Sequence, residues 1–291
     1  GMPARCRNRD GELVDISVAD WLAASDHFRH LHKLVRMPAD FPELAAPDLD
    51  AYLLGVILGD GSTINNVSVT TPDIEIVETL YGSAARLGLR LRCAQLSNNE
   101  ANTYFFVDDR SHGNALIDQL RALDLFGKKS AEKFIPDAYR LGSRATRFVM
   151  LAGLLDTDGH LMNGRCFEFV SKSPRLASDV VFIARSLGFL ASIAEKEVGG
   201  QIYQRVHISG DLDQIPTRVL RKQAPPRKQK KNVLRCGFTV HAVGEGEYFG
   251  FTVDGDHRYL MGDFTLTHNS GKTIMLSAVT GDSIGETEAK A

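Results

Sequence analysis

The chain has 291 residues, 43% hydrophobic and 24% charged, a globular composition long enough for two domains. Its formal net charge is −2, so the whole chain does not attract nucleic acid, and any such binding must come from local clusters of charge. No apolar run reaches the roughly 20 residues of a membrane helix, and the four cysteines (Cys6, Cys93, Cys166, Cys236) form no C-x-x-C pair, which argues against a zinc site or a disulfide framework and fits a reducing, cytoplasmic compartment.

Residues 1–46 read as a lead-in with one helical stretch around Ala19 to Arg29. Two similar segments follow, Tyr52 to Gly61 (YLLGVILGDG) and Met150 to Gly159 (MLAGLLDTDG). Each reads as an apolar helix stopped by a glycine. After Gly61 the pattern predicts a hairpin over Ser62 to Thr71 turning at Asn65-Asn66, and then a helix from Ile74 to Leu87. Strands Leu89 to Leu96 and Thr103 to Val107 come next, with a helix near Asn114 to Leu123. After Gly159 it predicts a hairpin turning at Asn163-Gly164, with Phe167 to Val170 as its second strand. A helix from Pro174 to Leu187 and strands Leu190 to Ala194 and Tyr203 to Ile208 complete the second copy.

Residues 218–236 contain Arg218, Arg221, Lys222, Arg227, Lys228, Lys230, Lys231 and Arg235 and no acid. Two readings stand for this segment, a phosphate-contacting strip and a solvated basic linker. Residues 237–269 are strand-rich, with Phe238 to Val240, Tyr248 to Val253 and Phe264 to Thr267 as the runs; residues 270–291 end in a polar, acidic tail.

Twin apolar helices packed along Gly55, Ala152 and Gly153 would bring Asp60 and Asp158 out together at one end. Two carboxylates so placed repel unless a cation lies between them. Mg²⁺ prefers oxygen ligands and retains waters and substrate phosphates, which suits phosphodiester hydrolysis. A single Asp-Gly is more often a plain turn; two copies followed by the same series of elements favour a site.

On these residues the chain resembles the LAGLIDADG homing endonucleases. Leu151 to Gly159 matches closely, and Leu53 to Gly61 departs at Leu58, where the family often has an acid. The resemblance implies an α+β fold, a pseudo-two-fold αββαββα repeat over residues 47–217. Its two four-stranded sheets would form a saddle over double-stranded DNA, with Asp60 and Asp158 binding the divalent cations. It also implies that Lys133, in Lys133-Phe134-Ile135-Pro136, stabilises charge at the scissile phosphate. The other reading of Lys133 is a solvated loop lysine beside Lys128 and Lys129. A pseudo-symmetric partner for it falls at Lys222.

The strand-rich end closes on His268-Asn269-Ser270. An Asn amide can attack its own carbonyl and cleave the following peptide bond, aided by the adjacent histidine, while a downstream serine can first take an acyl group. Tyr248 to Ser270 resembles the C-terminal splicing motifs of inteins, with aromatic-rich strands, the internal His257 and a terminal His-Asn before Ser. Gly250 stands where many inteins have an acid or cysteine, but a glycine in Tyr-Phe-Gly-Phe is familiar among inteins of helicase type. The resemblance implies that residues 237–269 are the C-terminal part of a Hint splicing domain and that no cofactor is needed for splicing.

Splicing also needs a Cys or Ser as first residue and a Thr-x-x-His segment. Gly1 and Met2 supply no such nucleophile, Cys6 lacks the context, and the one Thr-x-x-His is Thr157 to His160, inside the endonuclease motif. The expectation is therefore the C-terminal piece of an intein, naturally split or truncated, partnered by an N-terminal intein fragment. Gly271-Lys272-Thr273 is the second half of a phosphate loop whose first glycine is replaced by Leu266. That implies insertion into a helicase- or terminase-like P-loop NTPase, with residues 270–291 as C-extein. The alternative is a free-standing endonuclease or DNA-binding protein with an inactive splicing remnant; intact His257, His268, Asn269 and Ser270 count against it.

Overall fold

A computed structural model describes residues 13–42, 47–95, 101–108, 113–244, 246–247 and 251–268. Cys6, Tyr248 to Gly250, Asn269, Ser270 and the half phosphate loop lie outside the described residues. In chain order the elements are α1 (Val18–Ala23), α2 (Asp26–Leu31), β1 (Leu34–Val35), α3 (Ala51–Asp60), β2 (Gly61–Ser62), β3 (Ser68–Thr71), α4 (Ile74–Arg86), β4 (Arg90–Gln95), β5 (Asn102–Val107) and α5 (Ala115–Ala122). The rest are α6 (Asp137–Arg140), α7 (Arg144–Asp158), β6 (Gly159–Met162), β7 (Cys166–Ser171), α8 (Pro174–Ser186), β8 (Leu190–Val198), β9 (Gln201–Ser209), β10 (Arg235–Cys236), β11 (Arg258–Leu260) and β12 (Leu266–His268). They fall into two compact units, Asp40–Lys228 and Gly1–Ala39 with Gln229–Ala291.

The unit Asp40–Lys228 is an α+β repeat. Its two antiparallel sheets have the same strand order, β2-β3-β5-β4 and β6-β7-β9-β8. Asn163 and Gly164 take φ of 50° and 65°, the left-handed pair that a two-residue hairpin turn requires. Helix α4 lays Ile76, Val77, Leu80 and Ala84 on the first sheet; α8 lays Leu176, Val180, Ile183 and Ala184 on the second. Both helices end where the apolar period stops, at Arg86 and Ser186.

Between the sheets, α3 and α7 pack side by side. Residues Tyr52 to Leu58 of α3 are all buried, so the helix has no solvent face over that stretch. The approach is close because of two glycines. A Cβ on Gly55 would lie 2.7 Å from the Met150 carbonyl oxygen, and one on Gly153 would strike the Tyr52 carbonyl. Helix-ending Gly61 and Gly159 have φ of −86° and −83°, not the left-handed values of a usual glycine stop. Glycine is required there for room, since a Cβ would sit 2.7 Å from Cα of Ile57 or of Leu155.

The second copy closes differently from the first. Where α5 follows β5, β9 is followed by two short 3-10 turns, Leu212–Gln214 and Leu220–Lys222. Pro216 keeps Ile215 extended, with ψ of 119°, and prevents a continuous helix. The basic segment from Arg218 to Lys228 belongs to this unit, and Val219 and Lys222 in it are buried.

In the other unit, the helix expected over Ala19 to Arg29 is two helices. Ala24 is extended, and the Ser25 hydroxyl restarts the chain by accepting from Phe28 N–H at 3.2 Å. Trp21 stacks on Phe238 with centroids 4.6 Å apart, in a small core with Val18, Ile16, Phe28, Leu34 and Val240. Strand β1 pairs with β10, and Arg36 bridges to Thr265 beside the β11–β12 hairpin. Lead-in and C-terminal end thus form one unit, with the repeat inserted between them in the chain. Phe238 to Val240 run without a strand ladder and contribute side chains instead.

Candidate active site

Each of the paired helices α3 and α7 ends on an aspartate followed by a glycine. The backbones stay close up to that end: Thr157 Oγ1 turns back onto the carbonyls of Gly153 (3.0 Å) and Leu154 (2.9 Å), and fills the space a Cβ on Gly59 would need. Asp60 is exposed and Asp158 half-buried. Burial, followed by the charge of Asp60, pushes the Asp158 carboxyl up to about 6, against the pull of Lys133 and Lys222. Asp60 is also raised, by lost hydration, with Lys222 and Lys133 opposing and Asp73 adding to it. Asp158 therefore feels the charge of Asp60 at one end of the helix pair.

Lys133 is buried, which excludes a solvated loop lysine. Its ammonium donates to the carbonyls of Ile57 (3.0 Å), Leu58 (2.9 Å), Gly59 (3.2 Å) and Gly61 (2.8 Å), the last turn of α3 and the residue after it. A cation at the negative end of a helix satisfies carbonyls that the helix cannot. The lysine backbone is pinned by Ser173, whose hydroxyl donates to the Lys133 carbonyl at 2.6 Å. Burial pushes the ammonium down to about 8, with Asp158 and Asp60 opposing.

Lys222 occupies the equivalent place on the second copy. It is buried and donates to the carbonyls of Asp156 (2.7 Å) and Thr157 (2.8 Å), at the end of α7. Burial lowers it, and Arg221 adds to the effect. Two carboxylates and two ammonium groups thus gather at one end of α3 and α7.

Asp156 was not singled out by the sequence, and it is buried next to this site. Its carboxylate accepts from the Tyr52 hydroxyl (2.6 Å) and from the backbone N–H groups of Arg218 (2.6 Å) and Val219 (3.3 Å). It thereby holds the segment that carries Lys222. The first copy has Leu58 at this place in the motif, and its lysine loop is held by Ser173 and by Asp179, which accepts from Ile135 N–H at 2.9 Å.

The donor set suits a hard cation that keeps part of its water. Among the described residues no three His, Cys, Asp or Glu side chains gather as an all-protein cage. Asp60 and Asp158 would be the protein ligands, leaving other positions to water and phosphate oxygens, as Mg²⁺ tolerates.

In the other unit, His257 and His268 come together with ring centroids 5.9 Å apart, edge to face. His257 has φ of 57° and its Nδ1 lies 2.6 Å from the Val253 carbonyl. Non-glycine side chains adopt that backbone region only rarely. Asn269 and Ser270 follow His268 outside the described residues.

A family model described as "LAGLIDADG-like domain" matches residues 145–214. Among curated proteins, the chain is 31% identical over 161 residues to the replicative DNA helicase DnaB of Mycobacterium intracellulare, covering 54% of this chain and 26% of the helicase. It is 23% identical over 248 residues to the homothallic switching endonuclease of Saccharomyces cerevisiae, covering 73% of this chain and 42% of that protein. The chain thus spans less than half the length of each. Among solved structures it is similar to I-DmoI in complex with DNA and Mn, with TM-score 0.41, 15% identity, and coverage of 57% of this chain and 91% of that one. It is also similar to the N-terminal LAGLIDADG domain of DUF199/WhiA, with TM-score 0.38, 12% identity, and coverage of 58% and 79%. The residues matched by the family model run from α7 through β9, the second copy of the repeat within the α+β unit.

Proposed function

We propose that the unit Asp40–Lys228 is a divalent-metal-dependent DNA endonuclease of the homing type. The observation that carries this reading is the joint emergence of Asp60 and Asp158 from α3 and α7 beside Lys133 and Lys222. Asp60 and Asp158 would hold Mg²⁺, which would supply Lewis-acid polarisation and a nucleophilic water. The lysines offset phosphate charge, and the sheets carry double-stranded DNA across their open faces. The alignment with a yeast endonuclease over 73% of the chain supports the reading.

We also propose that the other unit is the C-terminal part of an intein splicing domain. His268 and Asn269 would cleave the downstream junction and Ser270 would take the acyl group, with His257 behind His268. The splicing activity needs a segment with an N-terminal Cys or Ser and a Thr-x-x-His, supplied by the same chain or another. Alignment with a DnaB helicase over only 26% of its length fits a segment inserted in a P-loop host.

The nuclease reading is tested by incubating the chain with a randomised duplex library in Mg²⁺ and sequencing the new ends. Wild type should yield ends at one recurrent sequence, and Asp60→Asn or Asp158→Asn should yield none while still retaining DNA on a filter. Recurrent ends from both variants would sink the assignment.

A further inference from the structure

The open face of the second sheet carries a single carboxylate. The core face is filled by Phe167, Phe169, Val206, Ile208 and Ala191, all buried. The ladder register puts His160, Glu168, His207 and Ser192 in one row on the opposite face, with Val170, Arg205 and Ala194 in the next. Glu195 and Glu197 alternate to the core side, so Glu168 is the one acid that these four strands turn to the open face.

Three nitrogen-bearing side chains surround Glu168, and one of them, Lys196, donates a long hydrogen bond to it. Lys196 Nζ lies 3.4 Å from Oε1, and Arg205 Nη1 and His207 Nε2 lie 3.6 Å and 3.5 Å from Oε2. These are longer than the roughly 2.7–2.9 Å of a closed charge-assisted bond. Among the described residues, the buried Nε of Arg205 has no hydrogen-bond partner. The carboxylate is held in place from three sides and retains acceptor capacity.

The fold does not need an acid there. Gly61 pairs with Val69 as Gly159 pairs with Phe169, so the first-sheet counterpart of Glu168 is Ser68. The row Glu168, His207, Ser192 corresponds to Ser68, Phe105, Arg92, where the Arg92 guanidinium lies 4.6 Å over the Phe105 ring. The second row thus carries an acid where the first has a neutral serine, and a serine where the first has Arg92. On a face laid against a polyanion, an acid weakens phosphate attraction and must gain elsewhere. Among base edges in the major groove, cytosine offers a lone amino donor, which a carboxylate accepts.

We infer that Glu168 is a specificity-determining residue, and that its carboxylate accepts from the N4 amino group of a cytosine in the half-site under the second sheet. This rests on the reading of the sheets as a DNA-binding surface. Lys196, Arg205 and His207 position the carboxylate, and Arg205 is near enough to donate to the guanine of the same or the adjoining pair.

The test is selection of bound duplexes from a randomised library by the full chain, in chelator so that nothing is cut. Wild type should enrich a motif with an invariant cytosine in one half. Glu168→Gln, and Glu168→Ser with the residue of the first copy, should enrich the same motif with preference for that cytosine reduced about five- to a hundredfold. Both variants should bind the library as a whole more tightly, because the cations are released toward phosphate. If they retain every preference and only bind more tightly, Glu168 is a charge neutraliser and the inference is overturned. If wild type enriches no motif, the DNA-reading surface itself falls, and the inference with it.

Discussion

The hydroxyl of Tyr52 donates a 2.6 Å hydrogen bond to Oδ2 of Asp156, tying α3 to α7 through two buried groups 104 residues apart. The same carboxylate accepts from Arg218 and Val219 N–H, so the inter-helix tie and the anchor of the Lys222 segment are one group. Arg218 also covers the Tyr52 ring, its guanidinium carbon 3.8 Å from the centroid. Burial raises Asp156 despite these donors and holds the Tyr52 hydroxyl above its ordinary range. Tyr52→Phe should lower stability by about 1–2 kcal/mol, the loss of one buried bond to a charged acceptor. Asp156→Asn should expose the Arg218 and Val219 amides to hydrogen exchange more than those of α4. Unchanged protection at 218–219 would show that Asp156 does not anchor the segment.

The helix crossing gives a paired prediction. Gly55→Ala puts a methyl against the backbone oxygen of Met150, which cannot rotate away, and should destabilise the unit by about 1–3 kcal/mol or more. Gly82→Ala, on the exposed side of α4, meets only the end of Arg86 at 3.8 Å and should stabilise by up to about 1 kcal/mol through helix propensity. Urea unfolding of both variants checks the contrast; equal effects would contradict the packing.

Much of this was legible because it is periodic. Ile76, Leu80 and Ala84 recur at helical spacing, and Phe167 and Phe169 alternate at strand spacing, so α4 and β7 fall where the pattern puts them. The twin helices were legible because Gly55 and Gly153 sit at equivalent places in repeated motifs. What the sequence hid is tertiary. Residues 218–228 have the composition of a solvated linker, and only the carbonyls at the end of α7, 66 residues away, reveal why Lys222 is buried there. Asp156 reads as one more acid in a motif until the Arg218 and Val219 amides are seen to need it. The break at Ala24 had a local signal, Ser25 before Asp26, which an uninterrupted helical period over Ala19 to Arg29 obscured.

The carboxylate pair predicts a pH dependence. A free Asp titrates near about 4, and burial followed by Asp60 pushes Asp158 up to about 6. The folded chain therefore binds this proton more tightly than the unfolded chain. Stability from this group is fully present below about pH 4 and is lost as the pH rises to about 6. Asp158→Asn should melt higher than wild type at about pH 8, and the gain should vanish toward about pH 4. Mg²⁺ at about pH 8 should raise the wild-type melting temperature and leave the variant nearly unmoved. Parallel melting curves for the two proteins across that range would contradict the repulsion.

The splicing reading predicts an order of events at the junction. With His257 Nδ1 engaged by the Val253 carbonyl, its other ring nitrogen is left to act toward His268, whose ring lies edge to face with it. Joined to a segment that supplies an N-terminal Cys or Ser and a Thr-x-x-His, the chain should pass an acyl group to the Ser270 hydroxyl, giving a branched ester. Asn269 then closes on its own carbonyl, the peptide bond to Ser270 breaks with protonation of the leaving amine, and the ester rearranges to an amide. Asn269→Ala should stop release and let the branched species accumulate. His257→Ala should also accumulate it, but with slow conversion, because Asn269 remains. Ser270→Ala should block ligation while permitting slow cleavage after Asn269. Intact-mass spectra separate these products, since the branched species retains both flanking segments and the cleaved ones do not. Normal splicing by Asn269→Ala, or a His257→Ala chain indistinguishable from wild type, would refute the roles given to these residues.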